Sequence, residues 1–294
     1  MSRSRSIISI NNNNINDKIT MIDRKLISQG AFGKVYKSKH IIDNQDYAIK
    51  IIPIEGNIIH NNILKEVRYL ASLKHPNIIR YFNCWIELTK NDKNMSNTLT
   101  NFSKTNLEIT NLKNNNKYQI CIQTELMHMN VYDYLLNFNP TLNSKKNIYK
   151  YILKAVSYLH RQKPKVIHCD IKPSNILINI DPVTNKPIDI KLSDFGLITI
   201  CGKTNMLLKY YGTDLYTDPI LLESCNPKPS TKTDIYSLGI LGFELFNSYK
   251  TRMETIKQIN MFKLHKIKTN SIIDSMISSD LSVRPDIDSI LNLL

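Results

Sequence analysis

Two short polar stretches most restrict what this chain can fold into. The first is His168-Cys169-Asp170-Ile171-Lys172-Pro173-Ser174-Asn175. It places an acid, a lysine and an amide within six residues. A regular helix cannot aim all three at one point, whereas a loop can. The second, Ser193-Asp194-Phe195-Gly196, adds another acid after the strand-like run Ile188 to Leu192. Either stretch alone also reads as a solvated turn, with Pro173 as a breaker. In this order and separation, two acids, an amide and a lysine suit a phosphate, its magnesium ions and an attacking hydroxyl.

The chain has 294 residues, enough for one large domain or two lobes that share a cleft. No apolar run approaches the roughly 18 residues of a membrane span. The basic start, Met1-Ser-Arg-Ser-Arg-Ser, and the polar stretch after it do not form a signal peptide. A soluble, intracellular, cytoplasmic protein is expected. Five cysteines, Cys84, Cys121, Cys169, Cys201 and Cys225, stand singly. With no CxxC pair and an odd count, neither a disulfide framework nor a zinc site is implied. The net charge of +14 fits a surface that draws an acidic partner or a nucleotide, and equally a lysine- and asparagine-biased composition. The basic residues are spread out and no aromatic-interleaved basic cluster occurs, so no specific nucleic-acid site is expected.

Residues 1–20 read as a flexible polar lead. Apolar residues then flank a glycine-bearing turn, Ser28-Gln-Gly30-Ala-Phe-Gly33-Lys-Val35. Gly30 and Gly33 let backbone amides approach a polyphosphate, although a glycine pair alone is also an ordinary hairpin turn. Tyr47-Ala48-Ile49-Lys50-Ile51-Ile52 is a buried-looking strand with a lysine in mid-run, which is costly unless an acid pairs with it. Asn61 to Leu73 has helical spacing, with Glu66 near the border of its apolar stripe as the candidate partner. Ile78 to Leu88 reads as a strand. Thr89 to Lys117, rich in Asn, Lys, Ser and Thr, is a flexible insert before the strand Tyr118 to Leu126. Ile148, Ile152, Ala155, Val156 and Leu159 line one helix face. Thr233 to Phe246 reads as a buried helix. Short helices follow at about Thr251 to Met261, Ser271 to Ile277 and Pro285 to Leu293.

With these motifs in order, the chain resembles a eukaryotic-type protein kinase from about residue 22 to 294. The resemblance implies an α+β bilobal fold: a small β-rich N-lobe over residues 21–127, carrying the insert at 89–117, and a larger helical C-lobe over 128–294. It implies ATP and Mg2+ as cofactors. Ser28, Gly30, Gly33 and Val35 look like the glycine-rich loop. Lys50, held by Glu66, would bind the alpha and beta phosphates. Asp170 would accept the hydroxyl proton, Lys172 would steady the phosphoryl group, and Asn175 and Asp194 would hold magnesium. Thr124, Glu125 and Met127 resemble the gatekeeper and hinge, with Val35, Ala48 and Leu177 around the adenine. Leu70, Tyr81, His168 and Phe195 would form a stack between the lobes. Lys172 and Thr213 resemble the residues that mark serine/threonine specificity.

Asn77 to Trp85, the polar insert after it, and Thr251-Arg-Met-Glu-Thr255 are similar to the kinases of translation initiation factor 2 alpha. That resemblance implies the factor's alpha subunit as substrate, docked by Thr251, Met253, Glu254 and Thr255, and a homodimer through the N-lobe. A kinase acting on another protein, of the cell-cycle-inhibitory type, and a non-catalytic decoy are the alternatives. The chain also departs from the family. Ser28 replaces the first glycine. Cys169 replaces the arginine before the catalytic acid, and Leu208 stands where a regulatory threonine is expected. Together these two imply activity that does not need a phosphate on the activation segment. Asp218-Pro219-Ile220 replaces Ala/Ser-Pro-Glu, so Arg284 is expected to pair with Asp218 or Glu223, or to be partly solvated.

Overall fold

The structure is a computed structural model. It describes residues 21–30, 33–54, 58–59, 61–88, 101–102, 107–108, 118–204, 215–247, 251–269 and 271–293. The lead at 1–20, most of the insert, Leu208 and Thr213 lie outside the described residues.

The strands β1 (Met21–Gly30), β2 (Gly33–His40), β3 (Asp46–Ile54), β5 (Tyr81–Leu88) and β8 (Tyr118–Glu125) form one antiparallel sheet, in the order β1-β2-β3-β8-β5. The sheet curls until its two edges meet. Arg24 of β1 donates to both carboxylate oxygens of Glu87 on β5, the second at 2.9 Å. Inside the curl, Met21, Ile49, Ile51 and Cys121 form a small core with Tyr36, Tyr47 and Trp85 against it. The helix α1 (Asn61–Ser72) packs on β5 and the sheet through Leu70, Val67 and Ile63.

One expectation needs correction. Ile78 to Arg80 are not part of β5. Instead, Ile79 donates to the Leu192 carbonyl and Leu192 donates to the Asn77 carbonyl, at 2.9 and 2.8 Å. These bonds tie the sheet to the rest of the molecule, which is why the strand starts late. Within the insert, β7 (Leu107–Glu108) pairs with β6 (Asn101–Phe102) on one side and with β4 (Ile58–Ile59) on the other.

The remainder is mainly helical. After β9 (Met129–Asn130) come α2 (Val131–Asn137) and the long α3 (Leu142–His160), whose Thr141 side chain caps its first turn. Ile148, Ile152, Ala155, Val156 and Leu159 are all fully buried, as their spacing predicts. Then follow β10 (Val166–Ile167), β11 (Ile176–Ile180), β12 (Pro187–Leu192) and β13 (Thr199–Ile200). The last helices are α4 (Pro219–Glu223), α5 (Thr231–Phe246), α6 (Arg252–Lys263), α7 (Ser271–Met276) and α8 (Ile287–Leu291). Helix α5 is buried over almost its whole length and opens with a Ser230/Thr233 capping box. Gly239 lets it approach α7, because a Cβ there would lie 2.9 Å from Ile277 and Met276. One apolar cluster runs from Leu70 and Ile120 through Ile148, Ile178 and Phe195 to Met276, so both parts share a core.

Candidate active site

The site lies where β3, α1 and the polar loops after β10 and β12 converge. Lys50 pairs with Val35 and Ile122 across the sheet, which sets its side chain on the face toward α1. Its Nζ lies 2.7 Å from Glu66 Oε1 and 2.9 Å from Asp194 Oδ1. Glu66, expected near the border of the apolar stripe of α1, is buried at 3 % exposure. Burial alone would lower the lysine's pKa, yet Asp194 and Glu66 outweigh it and keep the ammonium charged. Burial would likewise raise Asp194, and Lys50 reverses this, so the carboxylate stays ionised. Burial pushes Glu66 up, with Lys50 opposing.

The loop after β10 is fixed from below by Asp234 of α5. One of its oxygens accepts the backbone amide of Cys169 at 2.9 Å. The other accepts that of His168 at 3.0 Å and lies 2.9 Å from His160 Nε2. His168 Nε2 contacts the Ser193 carbonyl at 3.1 Å and its ring meets Phe195 edge-on at 4.9 Å. Ser193 in turn donates its hydroxyl and its amide to the Asn175 carbonyl. The loop and the Asp194 turn are thus one hydrogen-bonded unit.

On that unit, Lys172 Nζ lies 3.0 Å from Asp170 Oδ1, and Asn175 Nδ2 donates to Asp170 Oδ2 at 2.7 Å and to its carbonyl at 2.8 Å. Burial raises the Asp170 pKa and Lys172 partly offsets the rise. Both of these bonds use the side-chain nitrogen of Asn175, which leaves its amide oxygen as the atom to offer a cation. Asp194 carboxylate and Asn175 carbonyl are hard oxygen donors, too few to cage a metal alone but matched to magnesium that also binds phosphate oxygens. Among the described residues no cluster of three or more His, Cys, Asp or Glu forms a metal site.

Above the lysine, Gly33 has φ +130° and a Cβ there would come within 2.4 Å of the Ile51 carbonyl oxygen, so only glycine fits. Gly30 has open space around it and pairs with Gly33 across the turn, and Ser28 sits exposed at a register shift of β1. Ala48 faces Thr124 in the β3–β8 register. Ala48 and Met127 are buried, while Val35, Thr124, Glu125 and Leu177 are half-buried. The Glu125 side chain turns away to accept from the Arg80 amide at 2.7 Å, with Lys191 at 3.4 Å.

The docking candidates do not share one surface. Met253 is exposed, at 83 %, and so is Glu254. Thr251 is exposed and its hydroxyl caps α6 by accepting from the Glu254 amide. Thr255 is buried at 9 % and its hydroxyl donates to the Thr251 carbonyl, so it faces inward and is removed from the set. Asp218 is the carboxylate that meets Arg284. The pair is bidentate, with 1–2 % side-chain exposure on both sides, while Glu223 is exposed. Cys169 packs with Ile167, Leu197 and Leu221 in an apolar cluster. Burial raises its thiol pKa well above the ordinary value, which argues against a reactive thiolate. Two contacts were not anticipated: Asp194 on Lys50, and His160 on Asp234. The charge of Lys50 called for an acid but could not say how many.

This bilobal arrangement, a curled sheet over a helical body with an ion-paired lysine and an acid-bearing loop between them, defines a protein kinase domain. The family pattern described as protein kinase domain matches residues 22–293, and the chain belongs to that family of phosphotransferases. It is 30 % identical over 285 residues to the interferon-induced, double-stranded RNA-activated protein kinase of Rattus norvegicus, covering 92 % of this chain and 51 % of that protein. It is 27 % identical over 260 residues to the eIF-2-alpha kinase GCN2 of Arabidopsis thaliana, covering 78 % of this chain and 20 % of that protein. It is 33 % identical over 235 residues to a putative serine/threonine-protein kinase/receptor, R826, of Acanthamoeba polyphaga mimivirus, covering 78 % and 12 %. The chain therefore spans about half the length of the rat relative and less of the others. Among the described residues no helix is long and apolar enough to cross a membrane.

Proposed function

We propose that this domain transfers the terminal phosphoryl group of ATP to a serine or threonine hydroxyl, and that the alpha subunit of translation initiation factor 2 carries that hydroxyl. The observation that carries the first part is the pairing, at 3.0 Å or less, of Lys50 with Asp194 and of Asp170 with Lys172 and Asn175, the two sets joined by the Ser193 bonds to the Asn175 carbonyl. Phosphoryl transfer asks for positioning and charge neutralisation more than covalent chemistry, and this set supplies both. ATP and its magnesium ions supply the phosphoryl group and the counter-charge when bound.

Asp170 orients the acceptor hydroxyl and takes its proton, a role helped by a pKa raised toward working pH. Lys172 sits beside it to neutralise the transferring group. Asp194 and Asn175 offer oxygens to magnesium. Lys50 meets the phosphates, and Glu66 keeps it from collapsing fully onto Asp194. Ser28, Gly30, Gly33 and Val35 cover the phosphates. Ala48, Leu177 and Val35 enclose the adenine next to Thr124, and the backbone at Glu125 and Met127 reads its edge. The lobe boundary falls after Met127.

The substrate assignment is supported by the relative named as an eIF-2-alpha kinase and by exposed Met253 and Glu254 on α6. A cytoplasmic location and an N-lobe homodimer accompany it, the latter to be read by analytical ultracentrifugation. The test is transfer of radiolabel from ATP to purified factor, by the wild type and by Lys50→Arg. Label on the alpha subunit with wild type only supports the assignment. Label on a generic acceptor but not on the factor refutes the substrate, and no label on either refutes the kinase.

A further inference from the structure

Away from the phosphate site, one buried polar cluster has no role in the chemistry so far. Glu244, near the end of α5, is only 7 % exposed. One of its oxygens accepts the Tyr216 hydroxyl in a very short bond, and the other accepts from Arg252 Nη1 at 2.9 Å. Arg252 is the first residue of α6, and its guanidinium also lies over the Tyr132 ring at 5.0 Å. At the other end of α6, Lys263 donates to the Leu215 carbonyl at 3.2 Å. Between these ends Ile259 and Phe262 pack into the cluster that holds Tyr216. Helix α6 is therefore attached at both ends and along its inner face to the segment 215–221.

That segment is itself in contact with the catalytic loop. Its last residue, Leu221, packs on Ile167 and Cys169, and Cys169 precedes Asp170. A side chain that fixes Tyr216 thus fixes what lies beside the proton acceptor. We propose that Arg252 is a positioning residue for phosphoryl transfer: through the Glu244 carboxylate it fixes Tyr216, and with it the segment that flanks the catalytic loop. Arg252 brings a full positive charge to this buried carboxylate, which the neutral Tyr216 phenol cannot supply. A partner bound on the exposed face of α6, at Met253 and Glu254, would then act on the same lever. The activity arm rests on the kinase reading above, and the structural arm does not.

The experiment compares the wild-type domain, Arg252→Ala, Arg252→Lys, Tyr216→Phe and the Arg252→Ala/Tyr216→Phe pair. Hydrogen exchange is followed at residues 215–221, and kcat with a short serine peptide that cannot reach α6. Arg252→Ala and Tyr216→Phe are each expected to speed exchange there about tenfold, and the pair no further than either one, because they break the same chain of contacts. Their kcat should fall by a similar factor at unchanged KM for ATP, with Arg252→Lys partly restored. A cavity of about 130 Å³ beside Arg252, lined by Tyr132, Lys145 and Thr255, gives added guanidinium a path in. Guanidinium chloride should therefore rescue Arg252→Ala but not Tyr216→Phe, and potassium chloride should rescue neither. Exchange at 215–221 unchanged in Arg252→Ala overturns the proposal, as do effects that multiply in the pair or exchange that rises without any fall in kcat. Tyr216→Phe removes one oxygen only, so it keeps the test open if Arg252→Ala fails to fold. A wild type without transfer refutes the kinase reading, while exchange still decides the contact chain.

Discussion

Asp218→Asn puts a number on the departure at the Asp-Pro-Ile triplet. Arg284 and Asp218 are 2 % and 1 % exposed, so water cannot replace a lost partner. The guanidinium makes four bonds: two to the Asp218 oxygens, one to the Ser278 carbonyl at 2.7 Å and one to the Lys232 carbonyl at 3.0 Å. Tyr236 lies under its plane at 5.0 Å. Asparagine removes the charge and one acceptor but keeps the shape. Charge-assisted bonds contribute about 1.5–3 kcal/mol each, and the amide oxygen retains about 1 kcal/mol of the loss. The net, about 2–5 kcal/mol, overlaps the cost of stranding one member of a buried pair. Urea unfolding read by tryptophan fluorescence should show that loss at an unchanged slope, and melting should fall by roughly 8 °C. Glu223→Gln, on an exposed side chain, should stay within about 0.5 kcal/mol. An Asp218→Asn variant within about 1 kcal/mol of wild type would refute the argument that this buried pair replaces the missing glutamate.

Three further outcomes follow from named contacts. Burial would raise Glu87, but bonds from Arg24, Gln119 and Trp85 prevail and hold it at about 2. Its folded pKa is depressed, so its stabilising share is complete above about 4.5, the ordinary value, and is lost as pH falls toward 2. Acid titration of Glu87→Gln should show a shallower loss over that window than wild type; equal slopes would remove Glu87 as the clasp of the curled sheet. Lys50→Arg and Glu66→Gln should each lower phosphate transfer by about a hundredfold with native circular dichroism, since a guanidinium does not fit the Glu66–Asp194 fork. Mass spectrometry after iodoacetamide at neutral pH should find exposed Cys225 alkylated and Cys169 untouched, and phosphatase treatment should leave activity intact; a phosphatase-inactivated enzyme would show that the Cys169/Leu208 inference is wrong.

Much of the sheet and the helical body was legible because local pattern and burial agree there. The face from Ile148 to Leu159 and the strand around Lys50 are examples. Asp170, Lys172 and Asn175 were legible as a group since they lie in one short loop. What failed was long-range or hidden in a weak period. Asp194 meets Lys50 across 144 positions, and nothing local marks that contact. Ile78 to Arg80 carry strand-like residues, but bonds to Leu192 take their backbone instead. The placing of Thr255 was recoverable. Thr255, Ile259 and Phe262 stand at i, i+4 and i+7, an inner helical face, whereas Met253 lies two residues away and points elsewhere.

The two polar stretches share a backbone feature that their composition does not show. Cys169 has φ 68° and Asp194 φ 58°, left-handed values in residues with side chains. Each costs on the order of 1–3 kcal/mol and survives only where surroundings over-determine it. At Cys169 the surroundings are the fully buried Asp234 carboxylate, which takes the amides on both sides of the His168–Cys169 peptide, together with apolar packing by Leu197 and Leu221. At Asp194 they are the Lys50 ammonium and the Ser193 bonds to Asn175. One anchor is a carboxylate from the helical body and the other a cation from the sheet. The strained turns that present Asp170 and Asp194 are thus held by a carboxylate of the helical body at one and by a cation of the sheet, with the Ser193–Asn175 bonds, at the other. An arginine at position 169 would have to leave the apolar cluster to find an anion. Cysteine instead fills the cluster, so its packing with Ile167, Leu197 and Leu221 helps hold this turn.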